Sequence, residues 1–307
     1  MAQSMSDSAV RISSSPRFID PEVLFSIRNL PLIARSVVEG FIAGLHRSPY
    51  FGFSLDFAEY RAYTPGDDVR QFDWKVFART DKSFVKKYEG DTNTRLYLLL
   101  DSSRSMAFSS QKVSKFDYGR YLAASLAYLA QRQKDAVGLL MFNSGVVKYI
   151  PPRTKFGHYQ TVLHELQNAE TSQQTDIAAA MNRLAELTRR RSLVVLISDF
   201  YESPNRVADA LRFFHHRGTD LVLFHLLDPS ELEPPFTEIS TLEDMETGEV
   251  LSFSPEAHSE YLEQLASHRK ELKKLCTELY ADYEVLDTSE PLDRSLHSYL
   301  SIRGQRL

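Results

Sequence analysis

Residues 95–106 read RLYLLLDSSRSM. An apolar run of this kind, with no polar alternation, is the mark of a strand buried on both faces of a mainly parallel sheet. It ends in a carboxylate, Asp101, and two hydroxyls follow at alternate positions, Ser103 and Ser105, giving D-x-S-x-S. Open α/β sheets bind their ligands in the loops beyond the carboxyl ends of such strands. Hard oxygens gathered there suit Mg²⁺, or Mn²⁺ in its place, an ion that keeps several waters and takes few protein ligands. Asp and Ser are also ordinary turn residues. Taken alone, the five-residue pattern fits a serine-rich turn as well as an ion site.

Two later segments favour the ion. Thr175 lies in TSQQTDIAAAMNRLAEL (171–187), a polar loop running into a helix with apolar positions Ile177, Ala180, Leu184 and Leu187. Asp199 ends SLVVLISDF (192–200), a second apolar strand closed by a carboxylate. Strand–DxSxS, loop threonine and strand–Asp, in that order, resemble the metal-ion-dependent adhesion site of von Willebrand factor A domains. The resemblance makes Asp101, Ser103, Ser105, Thr175 and Asp199 the expected metal ligands or their immediate supports. Each has an alternative: Thr175 could cap its helix, and Asp199 the helix after Pro204.

The chain has 307 residues, 43% hydrophobic and 25% charged, which is ordinary for a soluble globular protein. A net charge of −5 argues against a nucleic-acid binder that works by neutralising phosphates. The single cysteine, Cys276, cannot pair within the chain, which points to a reducing compartment. On a helical stripe with Leu272 and Leu279, its expected role is a packed core thiol. No apolar run approaches the roughly 18–20 residues that span a bilayer. The opening MAQSMSDSAVRISSSP has no apolar core of a signal peptide and reads as a disordered tail. A cytoplasmic protein without a membrane span is expected.

Three regions follow: the tail (1–19), a helical and β-rich N-terminal element (20–94), and an alternating α/β domain (95–307). Asp20-Pro21-Glu22 is a helix start. Pro31 divides a second helix, beginning near Asn29 and running to Leu45, from the first. Alternation around Phe57–Tyr63 and Phe84–Tyr88 predicts short strands. From residue 95, strands are expected at 95–101, 136–142, 192–198, 220–227 and 283–287. Helices are expected at 117–133, 157–169, 176–190, 204–217 and 256–281, and a hairpin about Thr247-Gly248 between 238 and 254. Strands alternating with helices predict a doubly wound, mainly parallel sheet covered on both faces. The long helix and the terminal SLHSYLSIRGQRL could dock a partner, but amphipathic helices are usually core.

The segment GLHRSPYFGFSLDFAEYRAYTPGDDVRQFDWKVFART (44–80) sharpens the reading. Gly44, His46, Ser48, Gly52, Ser54, Phe57, Arg61, Tyr63, Pro65, Gly66, Asp67, Asp68, Arg70, Asp73, Trp74, Lys75, Ala78 and Arg79 match a long signature. It resembles that of the bacterial domain-of-unknown-function-58 family, and the likeness extends over roughly residues 20–300. The resemblance implies a von Willebrand factor A-like domain that works beside MoxR-type AAA+ ATPases. Many such relatives carry two N-terminal membrane helices; this chain is expected among the short soluble members. Read from the residues, the arginines and aspartates of 61–79 could form a charge network with Trp74 stacked on a guanidinium. Its expected role is to hold the β element onto the sheet, a docking surface being the alternative.

For function, the first expectation is a non-catalytic, Mg²⁺-dependent protein-interaction module. Carboxylates and neutral hydroxyls leave a cation under-neutralised, with a water position that an Asp or Glu of a partner protein can take. The partner would be a MoxR-type AAA+ ATPase, a client protein, or both. The alternative is a phosphatase-like hydrolase using Asp101 as nucleophile, but the position two residues on, where a general acid is wanted, holds Ser103. No G-x-S-x-G elbow and no G-x-x-x-x-G-K-[ST] loop occurs. Any ATP hydrolysis must come from the partner.

Overall fold

The computed structural model describes residues 20–27, 29–45, 59–62, 77, 83–87, 95–172, 174–187, 192–215, 217–235, 240–243, 250–253 and 255–306. The expected tail, most of the arginine–aspartate signature (Asp67, Asp68, Arg70, Asp73, Trp74 and Arg79) and the Thr247-Gly248 turn lie outside them.

Helix α1 (Pro21–Ile27) starts where Asp20 accepts the Glu22 N–H through Oδ1 at 2.8 Å. Helix α2 (Leu30–Leu45) is capped by Asn29, whose Oδ1 accepts the Leu32 N–H at 3.0 Å, so Pro31 falls in the first turn, where a proline costs nothing. Strands β1 (Glu59–Ala62) and β2 (Phe84–Lys87) fall where short strands were expected, and they pair antiparallel. The main sheet is built from β3 (Arg95–Asp101), β4 (Ala136–Phe142), β5 (Val146–Arg153), β6 (Leu193–Ser198) and β7 (Asp220–Leu227). Strands β8 (Ser240–Glu243) and β9 (Val250–Phe253) form a separate hairpin, and β10 (Asp282–Asp287) completes the main sheet.

Strand order is β10-β7-β6-β3-β4-β5, parallel throughout except β5, which runs antiparallel to β4 at the edge. The chain lays down β3, β4 and β5 outward on one side, then β6, β7 and β10 on the other. The switch therefore lies at the β3/β6 junction, where such sheets bind ligands.

Alternation along β3 divides the core. Leu96, Leu98 and Leu100 face a layer with α2, α3 (Lys115–Arg132), α4 (His158–Gln167) and α9 (Leu292–Arg306). Tyr97 and Leu99 face α5 (Ile177–Leu187), α6 (Pro204–His215) and α8 (Pro255–Glu278). Leu30, Ile33, Ala34, Val37, Val38 and Phe41 recur at helical spacing and put α2 into the first layer. The one-turn α7 (Pro229–Leu232) follows β7. Cys276 is buried in the second layer, as expected of a core thiol. The terminal segment is core too: Leu292, Leu296, Tyr299 and Leu300 of α9 are buried.

Strand β5 was not among the strands expected from the sequence, and it contains Pro151 and Pro152. They are tolerated because β5 is an edge strand and its pairing with β4 shifts register between Val137 and Leu139, where the two prolines fall. Gly138 on β4 permits the approach: a Cβ there would lie 2.9 Å from both the Ile150 carbonyl oxygen and the Pro152 nitrogen. Backbone atoms cannot swing aside. Gly138→Ala is expected to cost about 2 kcal/mol in urea unfolding, within the range for overpacking. A loss below about 0.5 kcal/mol, the scale of a neutral substitution, would mean that β5 simply moves away.

Candidate functional site

Asp101 ends β3 beside Phe142 of β4 and is fully buried. Its Oδ1 accepts the Ser103 N–H at 2.8 Å, an aspartate-anchored turn that bends the chain back over the strand end. The Ser103 and Ser105 hydroxyls lie 3.1 Å apart, with Ser105 opening a 3₁₀ turn (Ser105–Ala107). Thr175 Oγ1 lies 2.8 Å and 2.7 Å from the two Asp101 oxygens and donates to them. The Ser198 hydroxyl donates to Oδ2 at 2.6 Å.

Thr175 is held in place from several directions. Ser172 N–H donates to Ser102 O (2.9 Å), and Asp176 N–H to Asn143 O (2.8 Å). Asp176 Oδ1 accepts the Ala179 N–H at 2.8 Å, so Asp176 rather than Thr175 caps α5. Glu202, from the loop after β6, takes the Ile177 N–H at the same helix start.

Asp199 follows Ser198 directly. Its alternative role, capping the helix after Pro204, is not what the structure places there: Oδ2 lies 2.9 Å from the Lys115 ammonium. Lys115 also meets Glu231 Oε1 at 2.7 Å. Asp199 Oδ1 is buried and has no hydrogen-bond partner. The next residue, Phe200, is fully buried at φ 48, a left-handed conformation rare for a bulky side chain. Its N–H donates to Ser198 Oγ (3.1 Å) and its carbonyl accepts from His268 Nε2 (2.8 Å), which hold this turn and so aim Asp199.

Burial, joined by the Asp199 charge, pushes the Asp101 carboxyl up to about 7 against the pull of its hydroxyl and amide donors. Lys115 already neutralises part of this buried pair of carboxylates, and the orphaned Asp199 oxygen leaves a cost that a further cation, or a proton on Asp101, would relieve. The donor set is all hard oxygen and fits Mg²⁺ or Mn²⁺. Among the described residues no group of three His, Cys, Asp or Glu side chains could hold a metal, so any ion here leans on hydroxyls as well as on carboxylates.

All five expected residues thus gather at the carboxyl ends of β3 and β6. The site is more closed than the sequence suggested: Asp101, Ser103, Ser105 and Asp199 are buried, Thr175 is partly exposed, and Arg104 beside them is exposed. The loops after β3 and before α5 cross over it, tied by the Ser172–Ser102 bond. Sequence reading missed Ser198, Lys115, Glu231 and Glu202. Ser198 alone had a signal, a hydroxyl next to the strand-end carboxylate.

A family model described as protein of unknown function DUF58 matches residues 59–271. The chain belongs to this DUF58 family. An uncharacterised protein of Mycobacterium tuberculosis is 30% identical over 260 residues, covering 83% of this chain and 81% of the relative. A second, from Mycobacterium avium, is 28% identical over 132 residues, 41% of this chain and 76% of its own. Among solved structures, the conserved hypothetical protein BatB of Bacteroides thetaiotaomicron superposes with a TM-score of 0.47 at 15% identity, over 69% of this chain and 99% of BatB. The VWA domain of SpRpn10 gives 0.40 at 10% identity, over 67% and 94%. The von Willebrand factor A-like character of this DUF58 chain rests on its own strand order, its antiparallel edge strand and the position of D-x-S-x-S at the central strand. No helix among the described residues is long and apolar enough to cross a membrane.

Proposed function

We propose that this DUF58 protein is a non-catalytic, Mg²⁺-dependent protein-interaction module of the cytoplasm, acting as adaptor to a MoxR-type AAA+ ATPase. One observation carries the reading: Asp101 and Asp199 lie buried at adjacent strand ends with Ser103, Ser105 and Thr175, and Asp199 Oδ1 has no partner. Mg²⁺, with Mn²⁺ as substitute, would supply there a position at which an Asp or Glu of the partner replaces water. Asp101 and Asp199 would carry the charge, the three hydroxyls would complete the oxygen set, and the exposed Arg104 would meet an incoming carboxylate at the rim. The ATPase comes from the family resemblance.

Surface plasmon resonance with the ATPase immobilised tests it. Binding is expected in Mg²⁺ and to weaken by at least about thirtyfold in EDTA or in Asp101→Ala, about 2 kcal/mol, the lower scale for losing one side of a desolvated charge pair. No binding in either buffer removes the ATPase. Binding indifferent to EDTA and to Ser103→Ala moves the contact away from this site.

A metal-dependent hydrolase using Asp101 is the less favoured reading. Both Asp101 oxygens are engaged by hydroxyl and amide donors, and Ser103, where an acid is wanted, bonds only to Ser105 in the described hydrogen bonds of its hydroxyl. No turnover of a phosphate monoester such as p-nitrophenyl phosphate is expected. Activity that Asp101→Ala abolishes in a folded variant would overturn this.

A further inference from the structure

The site carries a cation of its own. Lys115, the first residue of α3, is 0% exposed, with its ammonium between Asp199 Oδ2 and Glu231 Oε1 and 4.7 Å from the Tyr201 ring centroid. Tyr201 Oη donates to the same Glu231 oxygen at 2.6 Å, and Glu231 Oε2 accepts the Asp228 N–H at 2.7 Å. A buried ammonium is expensive to keep, and a fold that keeps one binds it with good geometry on more than one side.

A purely mechanical role, tying α3 to the loops after β6 and β7, does not account for it well. The loop after β3 is already joined to the end of β7 by Ser110, whose N–H donates to Asp228 Oδ2 at 2.9 Å and whose hydroxyl bonds the same carboxylate. That tie uses the buried Asp228 carboxylate and needs no buried cation. What only the lysine does is electrostatic. It holds Asp199 by one oxygen, leaves the other without a partner, and cancels much of the charge that this carboxylate would offer to an ion.

We infer that Lys115 is an internal counter-cation that sets the affinity of the Asp101–Asp199 site for a divalent ion. It orients Asp199 with Oδ1 free and keeps the lone ion weakly held. Firm occupancy then requires one more carboxylate, which a docking protein brings. This inference rests on the metal reading proposed above and adds to it the reason why ion and partner would be retained together. The physical basis is that two cations sharing one carboxylate in a poorly screened interior repel strongly.

Mn²⁺ binding to the full-length protein, read from the free-ion signal in electron paramagnetic resonance, tests it. Lys115→Met is expected to bind Mn²⁺ on the order of tenfold tighter than wild type, and Lys115→Arg about as wild type, because only the first removes the charge. Thermal unfolding gives a second readout, with Mn²⁺ raising the Tm of Lys115→Met by more than that of wild type. Should Lys115→Met not fold, Lys115→Met/Glu231→Gln is compared with Glu231→Gln alone, a pair differing only in the lysine. The double variant is expected to bind tighter by a similar factor. If wild type shows no binding and a lysine-less variant does, the inference stands. If wild type binds and the lysine-less variants bind no tighter than their references, Lys115 is a latch and the inference falls while the metal reading survives. If no protein in the set binds Mn²⁺, both fall.

Discussion

Replacing Asp199 by alanine, with no divalent ion present, is expected to lower folding stability by about 3–5 kcal/mol, the scale for breaking a buried ion pair from one side. The cost comes from what is left behind. Burial alone would lower the pKa of the Lys115 ammonium, and the Asp199 and Glu231 carboxylates outweigh it and hold the group above its ordinary value. Without Asp199, a lysine with no exposed side-chain surface keeps one counter-charge, and that one sits at 11% exposure nearer to solvent. Ser198 and Phe200 flank the substitution, so the strained turn also loses an anchor. Glu231→Gln should cost less, about 2 kcal/mol, because Asp199 remains and the one amide oxygen still accepts from Tyr201 and Lys115, while the amide nitrogen then left facing the Asp228 N–H cannot accept from it. Urea unfolding measures both, read as a change of midpoint at constant m. Asp199→Ala within about 1 kcal/mol of wild type, the value of a surface pair, would show that the triad is not the buried network drawn above.

Why Asp199 could be found in the sequence while its partner could not follows from where each residue's signal resides. Asp101 and Asp199 end apolar runs, and β3, β4 and β7 coincide with the expected ranges because buried parallel strands have no polar alternation to blur their ends. Helices α3 to α6 and α8 carry their 3.6 period in the chain, and their described ends differ from the expected ones by up to three residues. Strand β5 is different. It has one neighbour, two prolines and a half-exposed pattern, and only the tertiary allowance at Gly138 makes it a strand. The α9 segment read as either core or docking surface, and packing against α2 and α3 decided for core. At the site, Thr175 was legible from its loop position. Lys115 was not, because KVSKFDYGR looks like the solvated start of any helix. Its burial is produced by Asp199, 84 residues away, and by Glu231, 116 away, neither of which leaves a trace near position 115.

Acid is expected to destabilise the protein through His225, beginning below about pH 6.5, the ordinary histidine value. His225 lies near the end of β7, fully buried, with Nδ1 2.6 Å from the Tyr283 hydroxyl and its ring edge-on to Phe200 at 5.5 Å. Burial first, then the His268 and Lys115 charges, pushes it down to about 3. Between pH 6.5 and 3 the unfolded chain therefore takes up a proton that the folded protein refuses. Stability from this group is complete above 6.5 and is lost as pH falls, by about 2 kcal/mol at pH 5 and on the order of 4 kcal/mol near pH 3.5. Asp101 works in the opposite sense. Its folded value near 7 lies above that of the unfolded chain, so its contribution is favourable in acid and is lost as pH rises toward 7. The two partly cancel in the wild type, which is why the comparison must be with a variant. His225→Gln keeps a group able to bond Tyr283 and cannot take the proton. Urea midpoints at pH 7.5, 6, 5 and 4 should show the gap between variant and wild type moving in the variant's favour by about 2 kcal/mol from pH 7.5 to 5. Parallel pH profiles for the two proteins would mean that His225 gains its proton in the folded state as readily as in the unfolded one. The strip of β7 beneath Phe200 and Asp199 would then be wetter than its packing implies.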